Sequence, residues 1–270
     1  MKFLLSATVM LACIFPYCYA DPELDSANDF VVAKQPGIAK DEIKKILTSS
    51  VSRKMKLPGK YAYSPDDVMF WAKRAKQAHK IAPVSRGDKD VKYDVIIQIG
   101  HYPRRKGRTG GQGNYVTEQE IASLVGATLI QKLDNMTVRK RKIKALLVGA
   151  DDYTQFLQSK IFLSLHTDSA KVPCNLGPSI GYQKSTDSDG MHGIALALAL
   201  TLGLDAEKFM NDNYTSGLSG YYAYSSFQTE KFKGLLEMSE LTCQKQEEIL
   251  LTRAAALAEN LATAIQFALR

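Results

Sequence analysis

Residues 93–120 constrain the fold most, because they contain the pattern of a complete strand, loop and helix. The apolar run 95–99 is typical of a buried strand, and it ends at a glycine followed by His101. A basic, glycine-rich loop leads to Thr117, which predicts a helix start with Glu118 in the first turn. Open α/β sheets bind ligands outside the carboxyl ends of their strands. We therefore expect His101 and Glu118 to lie at such a site and to supply the first two ligands of a catalytic metal.

Strand and helix patterns alternate through the rest of the chain. Strands are predicted at 145–148, 161–165, 179–183 and 234–238, and helices at 117–135, 191–202 and 244–269. This alternation indicates an α/β fold, with a twisted, mostly parallel or mixed sheet of about six strands and helices on both faces.

The first 20 residues have the pattern of a secretory signal peptide. One lysine precedes an apolar stretch, and the small residue Ala20 precedes an acidic segment, which predicts cleavage after Ala20. A retained membrane anchor is disfavoured because Pro16 interrupts an already short apolar run. A lipoprotein modified at Cys13 is a third alternative, which the apolar residues after Cys13 disfavour. The prediction is a secreted or periplasmic protein.

The mature chain divides into two parts by composition. Residues 21–92 are polar and basic and predict a helical extension with a linker at 85–92, whereas residues 93–270 predict the catalytic domain. Within the extension, helices are predicted at 40–47 and from Ser64 to residue 81, where Asp67 completes a capping box. His79 lies on the apolar face of the second helix, which favours a packed or surface imidazole over a metal ligand.

The charge balance favours a polyanionic partner. The formal net charge is +7, and removing Lys2 with the signal lowers it by one, to +6. Nucleic acid, acidic lipid and anionic cell-wall polymer all fit this charge, and export disfavours nucleic acid. Beyond the signal, no apolar segment is long enough to span a bilayer. Cys174 and Cys243 remain after cleavage, and both a disulfide and two buried thiols are open interpretations.

Further polar residues complete a catalytic set. His166 ends the predicted strand 161–165, and Glu237 lies in the last predicted strand. Two histidines, one glutamate and water form a known catalytic zinc set, which His101, Glu118 and His166 would supply. Glu237 is the candidate general base, and Glu240 is the alternative for that role.

The order of these motifs resembles a known family. IxxGH, TEQEIA, FLSLHTDSA and LLEMSELT follow one another as in the zinc-dependent N-acetylmuramoyl-L-alanine amidases of the Amidase_3 type, over residues 93–269. The resemblance implies zinc ligands at His101, Glu118 and His166 and a catalytic acid/base at Glu237. It also implies hydrolysis of the amide between N-acetylmuramic acid and L-alanine in peptidoglycan.

The sequence departs from the family pattern beside the first ligand. GHYP replaces the usual GHGG, so Tyr102 and Pro103 alter the predicted substrate cleft. The cations of loop 104–108 are candidates for binding carboxylates of a peptide stem, and the tyrosine-rich segment 211–224 for stacking on sugars. His192 is interpreted as a capping or surface residue.

Two alternative functions remain open at this point. One is another zinc peptidase or carboxypeptidase on a related scaffold. The other is a non-catalytic cell-wall-binding protein that uses its basic surface. A regulatory protein partner is compatible with each of them.

Overall fold

The computed structural model describes residues 63–104, 110–183, 188–202 and 220–270. The predicted signal peptide and the predicted helix at 40–47 lie outside these residues. The elements are α1 (Pro65–Ile81), β1 (Lys92–Ile99), α2 (Glu118–Asp134), β2 (Thr137–Val138), β3 (Arg141–Lys142), β4 (Ala145–Val148), β5 (Leu157–Asp168), β6 (Ser179–Tyr182), α3 (Ser188–Leu202), a 3₁₀-helix (Tyr222–Ser226), β7 (Phe227–Glu240) and α4 (Gln244–Ala268).

Five strands form the main sheet, in the order β4-β1-β5-β7-β6. The first four are parallel, and β6 pairs antiparallel with β7 at the edge. The two-residue strands β2 and β3 pair with each other in a separate hairpin. The predicted α/β class with a mixed sheet is therefore confirmed. No helix in the described part of the chain is long and apolar enough to cross a membrane.

Two hydrophobic clusters hold helices against the sheet. Because side chains alternate between the faces of a strand, Ile97 and Leu163 join a larger cluster that contains residues of all four α-helices. Phe162 belongs to a smaller cluster with Tyr224 of the 3₁₀-helix and Phe227. Helices therefore lie on both faces, as predicted.

Capping boxes fix the starts of two helices at the residues that the sequence predicted. The Thr117 hydroxyl accepts from the Glu120 amide at 3.3 Å, and the Glu120 carboxylate accepts from the Thr117 amide at 2.8 Å. Ser64 and Asp67 form the same reciprocal pair at α1. Because the first box sets where α2 begins, it also places Glu118 in the first helical turn.

The helix α1 packs on α2 and α4 through a buried face that includes Val68 and Ala72. His79 lies 3.5 Å (Nδ1) from the Ser123 hydroxyl, and its ring makes an edge contact with Tyr102 at a centroid distance of 5.1 Å. Burial lowers the pKa of His79. His79 is thus a packed imidazole in the structure.

The segment 85–92, predicted as a linker, is hydrogen-bonded to the main domain. The Ser85 amide donates to the Leu147 carbonyl at 2.9 Å, and the Thr154 amide donates to the Arg86 carbonyl at 2.7 Å. The division of the chain at residue 92 stays a prediction.

A disulfide joins Cys174 to Cys243, which decides between the two interpretations of these cysteines. Cys174 lies in the connection between β5 and β6, and Cys243 immediately precedes α4. The bond therefore ties a loop at the carboxyl end of the sheet to the start of the last helix.

A buried carboxylate anchors the beginning of β1. Asp94 accepts two hydrogen bonds from Arg141, at 2.6 and 2.7 Å, and one each from the Lys144 amide and the Lys160 ammonium. Burial by itself would raise the pKa of Asp94, but the bonds from Arg141, Lys144 and Lys160 together lower it well below its ordinary value.

This shift predicts an acid-dependent contribution to stability. Since the folded-state pKa is lower than that of the unfolded chain, about 3.9, the stabilisation is complete above that pH and is lost as the pH falls. We expect Asp94→Asn to lower the free energy of unfolding by about 2 kcal/mol at pH 7. The difference from wild type should shrink below about pH 4.

Urea unfolding at pH 7 and pH 3 measures both effects. Asp152→Asn is the matched control, because Asp152 is exposed and forms a surface ion pair with Arg86. A deficit in Asp94→Asn that is equal at both pH values would contradict the proposed ion-pair contribution.

Candidate metal centre

Three of the predicted site residues converge at the carboxyl end of the sheet. His101, Glu118 and His166 each offer one ligand atom, and these atoms lie within 4.8 Å of one another. Glu118 Oε1 lies 2.9 Å from His166 Nδ1 and 3.4 Å from His101 Nε2. The arrangement is one that could hold a metal ion.

Parallel pairing of β1 with β5 brings the two histidines together. Ile99 and Leu165 are the last paired residues, and the Gly100 amide donates to the Leu165 carbonyl at 2.9 Å. His101 then adopts a left-handed backbone conformation, with φ at 57°, which turns the chain out of the strand direction. His166 remains in β5, and the two imidazole rings meet edge to face at 5.1 Å.

Glu118 is only 2% exposed, and two backbone amides donate hydrogen bonds to its carboxylate. Oε2 accepts from the Gly111 amide at 2.7 Å, and Oε1 accepts from the Thr167 amide at 3.2 Å. Burial would raise its pKa, but the hydrogen bond and charge of His166, the charge of His101 and the Gly111 amide lower the pKa of Glu118 below its ordinary value. Glu118 is therefore an anion directed at both imidazoles.

Two glycines next to the site have no side chain, and the candidate ligands occupy the space where one would lie. A Cβ on Gly100 would lie 2.6 Å from Nδ1 of His166. A Cβ on Gly110 would lie 2.2 Å from Oε2 of Glu118, and Gly110 also has a φ of +79°. Any larger residue at these positions would therefore collide with a ligand side chain.

A polar group that the sequence analysis did not identify lies behind His166. Nε2 of His166 is 3.2 Å from the hydroxyl of Tyr221, which in turn is 2.9 Å from Oε1 of Gln98. Burial is the main cause that raises the pKa of Tyr221, so the hydroxyl is neutral. The one signal in the sequence was Gln98 itself, a polar residue that interrupts an apolar strand. The rest of the predicted tyrosine-rich loop, up to residue 219, lies outside the described residues.

The outer edge of His101 contacts a surface ion pair. Nη1 of Arg104 lies 3.3 Å from Nδ1 of His101. The same guanidinium donates to both carboxylate oxygens of Asp151, at 2.5 and 2.6 Å. It also donates to the Tyr222 hydroxyl at 2.9 Å. Arg104 is thus already paired within the protein. The other cations of the predicted loop, at 105, 106 and 108, lie outside the described residues.

Glu237 lies next to His166 on the neighbouring strand. The two residues are direct partners in the parallel pairing of β5 with β7, so their side chains leave the same face of the sheet. Glu237 is 7% exposed, and among the described residues its Oε2 has no hydrogen-bond partner. Burial first, and then the charges of Asp168 and Glu118, raise its pKa well above the ordinary value.

Glu240 has a different environment, although it lies on the same strand. Its carboxylate accepts from the amides of Cys174 and Leu176, at 2.8 and 2.5 Å, and from the Thr242 hydroxyl at 2.6 Å. These bonds fix the loop that carries the disulfide. Glu240 is therefore committed to structure, which favours Glu237 as the candidate base.

The predicted residue His192 falls within α3. The side chains that the structure does bring together define an α/β protein with a candidate metal centre of two imidazoles and one carboxylate, and a buried glutamate next to it.

Comparisons with known proteins add structural resemblances at low identity. No protein family model and no curated protein matches the chain. The catalytic domain of CwlV, an N-acetylmuramoyl-L-alanine amidase from Bacillus (Paenibacillus) polymyxa var. colistinus, is 18% identical with a TM-score of 0.48, over 64% of this chain and 96% of that one. An N-acetylmuramoyl-L-alanine amidase from Clostridium difficile 630 is 16% identical with a TM-score of 0.47, over 64% and 95%. The CwlD amidase from Clostridioides difficile, solved with the GerS lipoprotein, is 15% identical with a TM-score of 0.48, over 66% and 98%.

Because these identities and TM-scores are low, the function is inferred from the residues of the site.

The glycine next to the site gives a prediction. In Gly100→Ala, the added methyl group would overlap the His166 ring and the Leu165 carbonyl, 2.7 Å away, so the strand end or the ring must move. We expect a loss of about 1–3 kcal/mol in the free energy of unfolding and weaker metal binding. Urea unfolding and metal titration measure the two effects.

Gly193→Ala is the matched control, because Gly193 lies in α3 and its nearest neighbour would be the Ala264 Cβ at 3.8 Å. It should raise stability slightly through helix propensity. If Gly100→Ala is as stable as wild type and binds metal equally well, the close packing of His166 does not constrain the site.

Proposed function

We propose that this protein is an exported, zinc-dependent amidase that hydrolyses the bond between N-acetylmuramic acid and L-alanine in peptidoglycan. One observation carries the proposal: the three converging ligand atoms lie beside a buried glutamate whose Oε2 has no partner among the described residues. The order of the motifs around these four residues, which resembles that of the zinc amidases, supports the choice of reaction and substrate.

The donor set fits zinc. Imidazole nitrogens and a carboxylate oxygen are ordinary zinc ligands, and three protein ligands leave a fourth position for water or substrate. Two imidazoles also disfavour magnesium and calcium, which prefer oxygen ligands. His166 Nδ1, His101 Nε2 and Glu118 Oε1 are the atoms that would hold the ion, since they face one another.

The protein's own residues would divide the reaction between binding and proton transfer. Zinc, when bound, supplies Lewis-acid polarisation of a carbonyl and lowers the pKa of water. Glu237 accepts the proton of the attacking water at its carboxylate and then delivers it to the departing L-alanine nitrogen. The raised pKa of Glu237 suits the second half of this role, because a carboxyl with an ordinary pKa is mostly ionised near neutral pH and is then a poor proton donor.

Two parts of the proposal come from residues outside the site. Export rests on the sequence pattern of residues 1–20, and it would place the protein where peptidoglycan is found. Residues 93–270 contain all four proposed functional residues, and we assign them as the catalytic domain.

Metal content and reaction product test the proposal together. We expect the purified protein to contain about one zinc ion per chain, as a three-ligand site binds a single ion. It should lose hydrolysis of peptidoglycan in a chelator and recover it when zinc is added back. Mass spectrometry should find free stem peptides that retain L-alanine at the amino terminus.

Each alternative function gives a different product pattern. Stem peptides shortened at the carboxyl end would indicate a carboxypeptidase and refute the amidase. The third outcome is binding to the cell wall that weakens with salt, yields no product and is unchanged in His101→Ala. It would indicate a non-catalytic wall-binding protein.

Glu237→Gln tests the proton-transfer role. It keeps the shape of the side chain and removes its basicity, so we expect kcat to fall by about 10²–10⁴-fold while zinc is retained. Stability should not fall, because the buried Oε2, which has no hydrogen-bond partner among the described residues, destabilises the folded state. Activity assays, zinc analysis and urea unfolding provide the three measurements.

Glu230→Gln is the control for this substitution, as Glu230 lies on the same strand, where it pairs with Lys92 at the surface. It should behave like wild type. Normal hydrolysis by a zinc-loaded Glu237→Gln variant would refute the mechanism.

A further inference from the structure

We infer that Tyr221 is a positioning residue which, together with Gln98, holds a hydrogen on Nε2 of His166 and thereby directs the Nδ1 lone pair at the metal centre. The inference rests on the proposed metal function of His166. It is carried by a chain of hydrogen bonds in which the direction of each bond fixes that of the next.

The chain begins at the side-chain amide of Gln98, which is fully buried in β1. Its Nε2 lies 3.1 Å from the Ala150 carbonyl and 3.4 Å from the Gly149 carbonyl. Carbonyl oxygens can only accept, so the amide nitrogen of Gln98 must be on this side. The amide oxygen therefore points in the opposite direction.

Two hydroxyl groups meet that oxygen. Ser164 Oγ lies 2.8 Å and the Tyr221 hydroxyl 2.9 Å from Oε1 of Gln98. Since an amide oxygen has no hydrogen to give, both hydroxyls must donate. Tyr221 has a single hydroxyl hydrogen, and Gln98 takes it. Only a lone pair of the Tyr221 oxygen is then left for His166, 3.2 Å away.

His166 must donate to that lone pair through Nε2. An imidazole bound to a metal keeps one N–H and uses the other nitrogen as the ligand. With the hydrogen held on Nε2, Nδ1 is the ligand, and this is the atom that lies 2.9 Å from Glu118 Oε1 inside the cluster. With a metal bound at Nδ1, Tyr221 thus accepts the one hydrogen that the His166 ring keeps, on Nε2.

The two histidines differ in this respect. The outer nitrogen of His101, Nδ1, lies 3.3 Å from the guanidinium of Arg104, a group that donates only. Nε2 of His166, which faces away from the cluster, lies instead next to an acceptor, the Tyr221 oxygen. Tyr221→Phe is therefore the substitution that removes this acceptor from His166.

Zinc affinity is the first measurement. Tyr221→Phe keeps the ring and removes the hydroxyl that accepts from His166 and donates to Gln98. Loss of such a partner of a ligand typically weakens metal binding by about 10–100-fold. We expect a decrease of that size in competition with a chromophoric chelator, for a variant with wild-type circular dichroism. Tyr224→Phe is the matched control, since Tyr224 is buried in the same 3₁₀-helix but its hydroxyl donates to the Gly181 carbonyl. Its zinc affinity should stay within about twofold of wild type, as its hydroxyl bonds to a backbone carbonyl and not to Nε2 of His166.

The second measurement locates the hydrogen directly. In ¹H–¹⁵N spectra of the zinc-loaded wild type and of Tyr224→Phe, the His166 ring N–H should appear at Nε2, protected from exchange with water. In Tyr221→Phe this signal should be lost to exchange. A structural role for the tyrosine ring alone would leave the signal in place.

The outcomes separate this inference from the proposed function. Equal zinc affinity and an unchanged ring N–H signal in Tyr221→Phe overturn the role of Tyr221, even if the wild type is an active amidase. If Tyr221→Phe shows weaker zinc binding and loses the ring N–H signal, but the wild type does not cut peptidoglycan, the role of Tyr221 is supported and the amidase function is refuted. A wild type that does not bind zinc overturns both.

Discussion

The buried carboxylate of Glu118 is the interaction on which the site and the fold around it depend. A carboxylate that is almost fully buried has to be compensated, because an unpaired charge in the interior costs several kcal/mol. The compensating groups come from three places: the Gly111 amide in the loop, the Thr167 amide in β5, and the imidazoles of His101 and His166. If any of these elements moved away, the buried charge would lose part of this compensation. The ligand arrangement is therefore part of what holds the loop, β5 and α2 together.

The register of the parallel strands arranges the same face of the sheet in three layers. An apolar layer of Ile96 and Phe162 comes first, then a layer with the polar residues Gln98 and Ser164, in which Leu235 is the partner of Ser164 on β7, and then the candidate site with His166 and Glu237. A shift by one residue in one strand would move its site residue to the opposite face. The apolar layer thus secures the register, and the polar layer has the hydrogen bonds that orient His166.

Local signals explain how much of this could be predicted from the sequence. The capping box at Thr117 and the strand that ends before His101 each depend on a few neighbouring residues, and the structure confirms them. The predicted end of the strand at His166 was wrong, because β5 continues to Asp168. The contact between Gln98 and Tyr221 spans 123 residues, and no local pattern pairs a glutamine with a particular tyrosine. For the same reason the sequence left the pairing of Cys174 with Cys243 open.

Three glutamates near the carboxyl end of the sheet show why residue type and burial alone do not define a role. Glu240 is saturated by two amides and a hydroxyl, so its carboxylate has a structural task. Glu118 is held as an anion by amides and imidazoles, which suits a metal ligand. Glu237 is buried beside two other carboxylates, and its Oε2 lacks a partner in the described part of the chain. Buried polar atoms are nearly always hydrogen-bonded, so an exception that lowers stability is most simply explained by function. The least satisfied of the three is thus the one best suited to exchange a proton with a substrate.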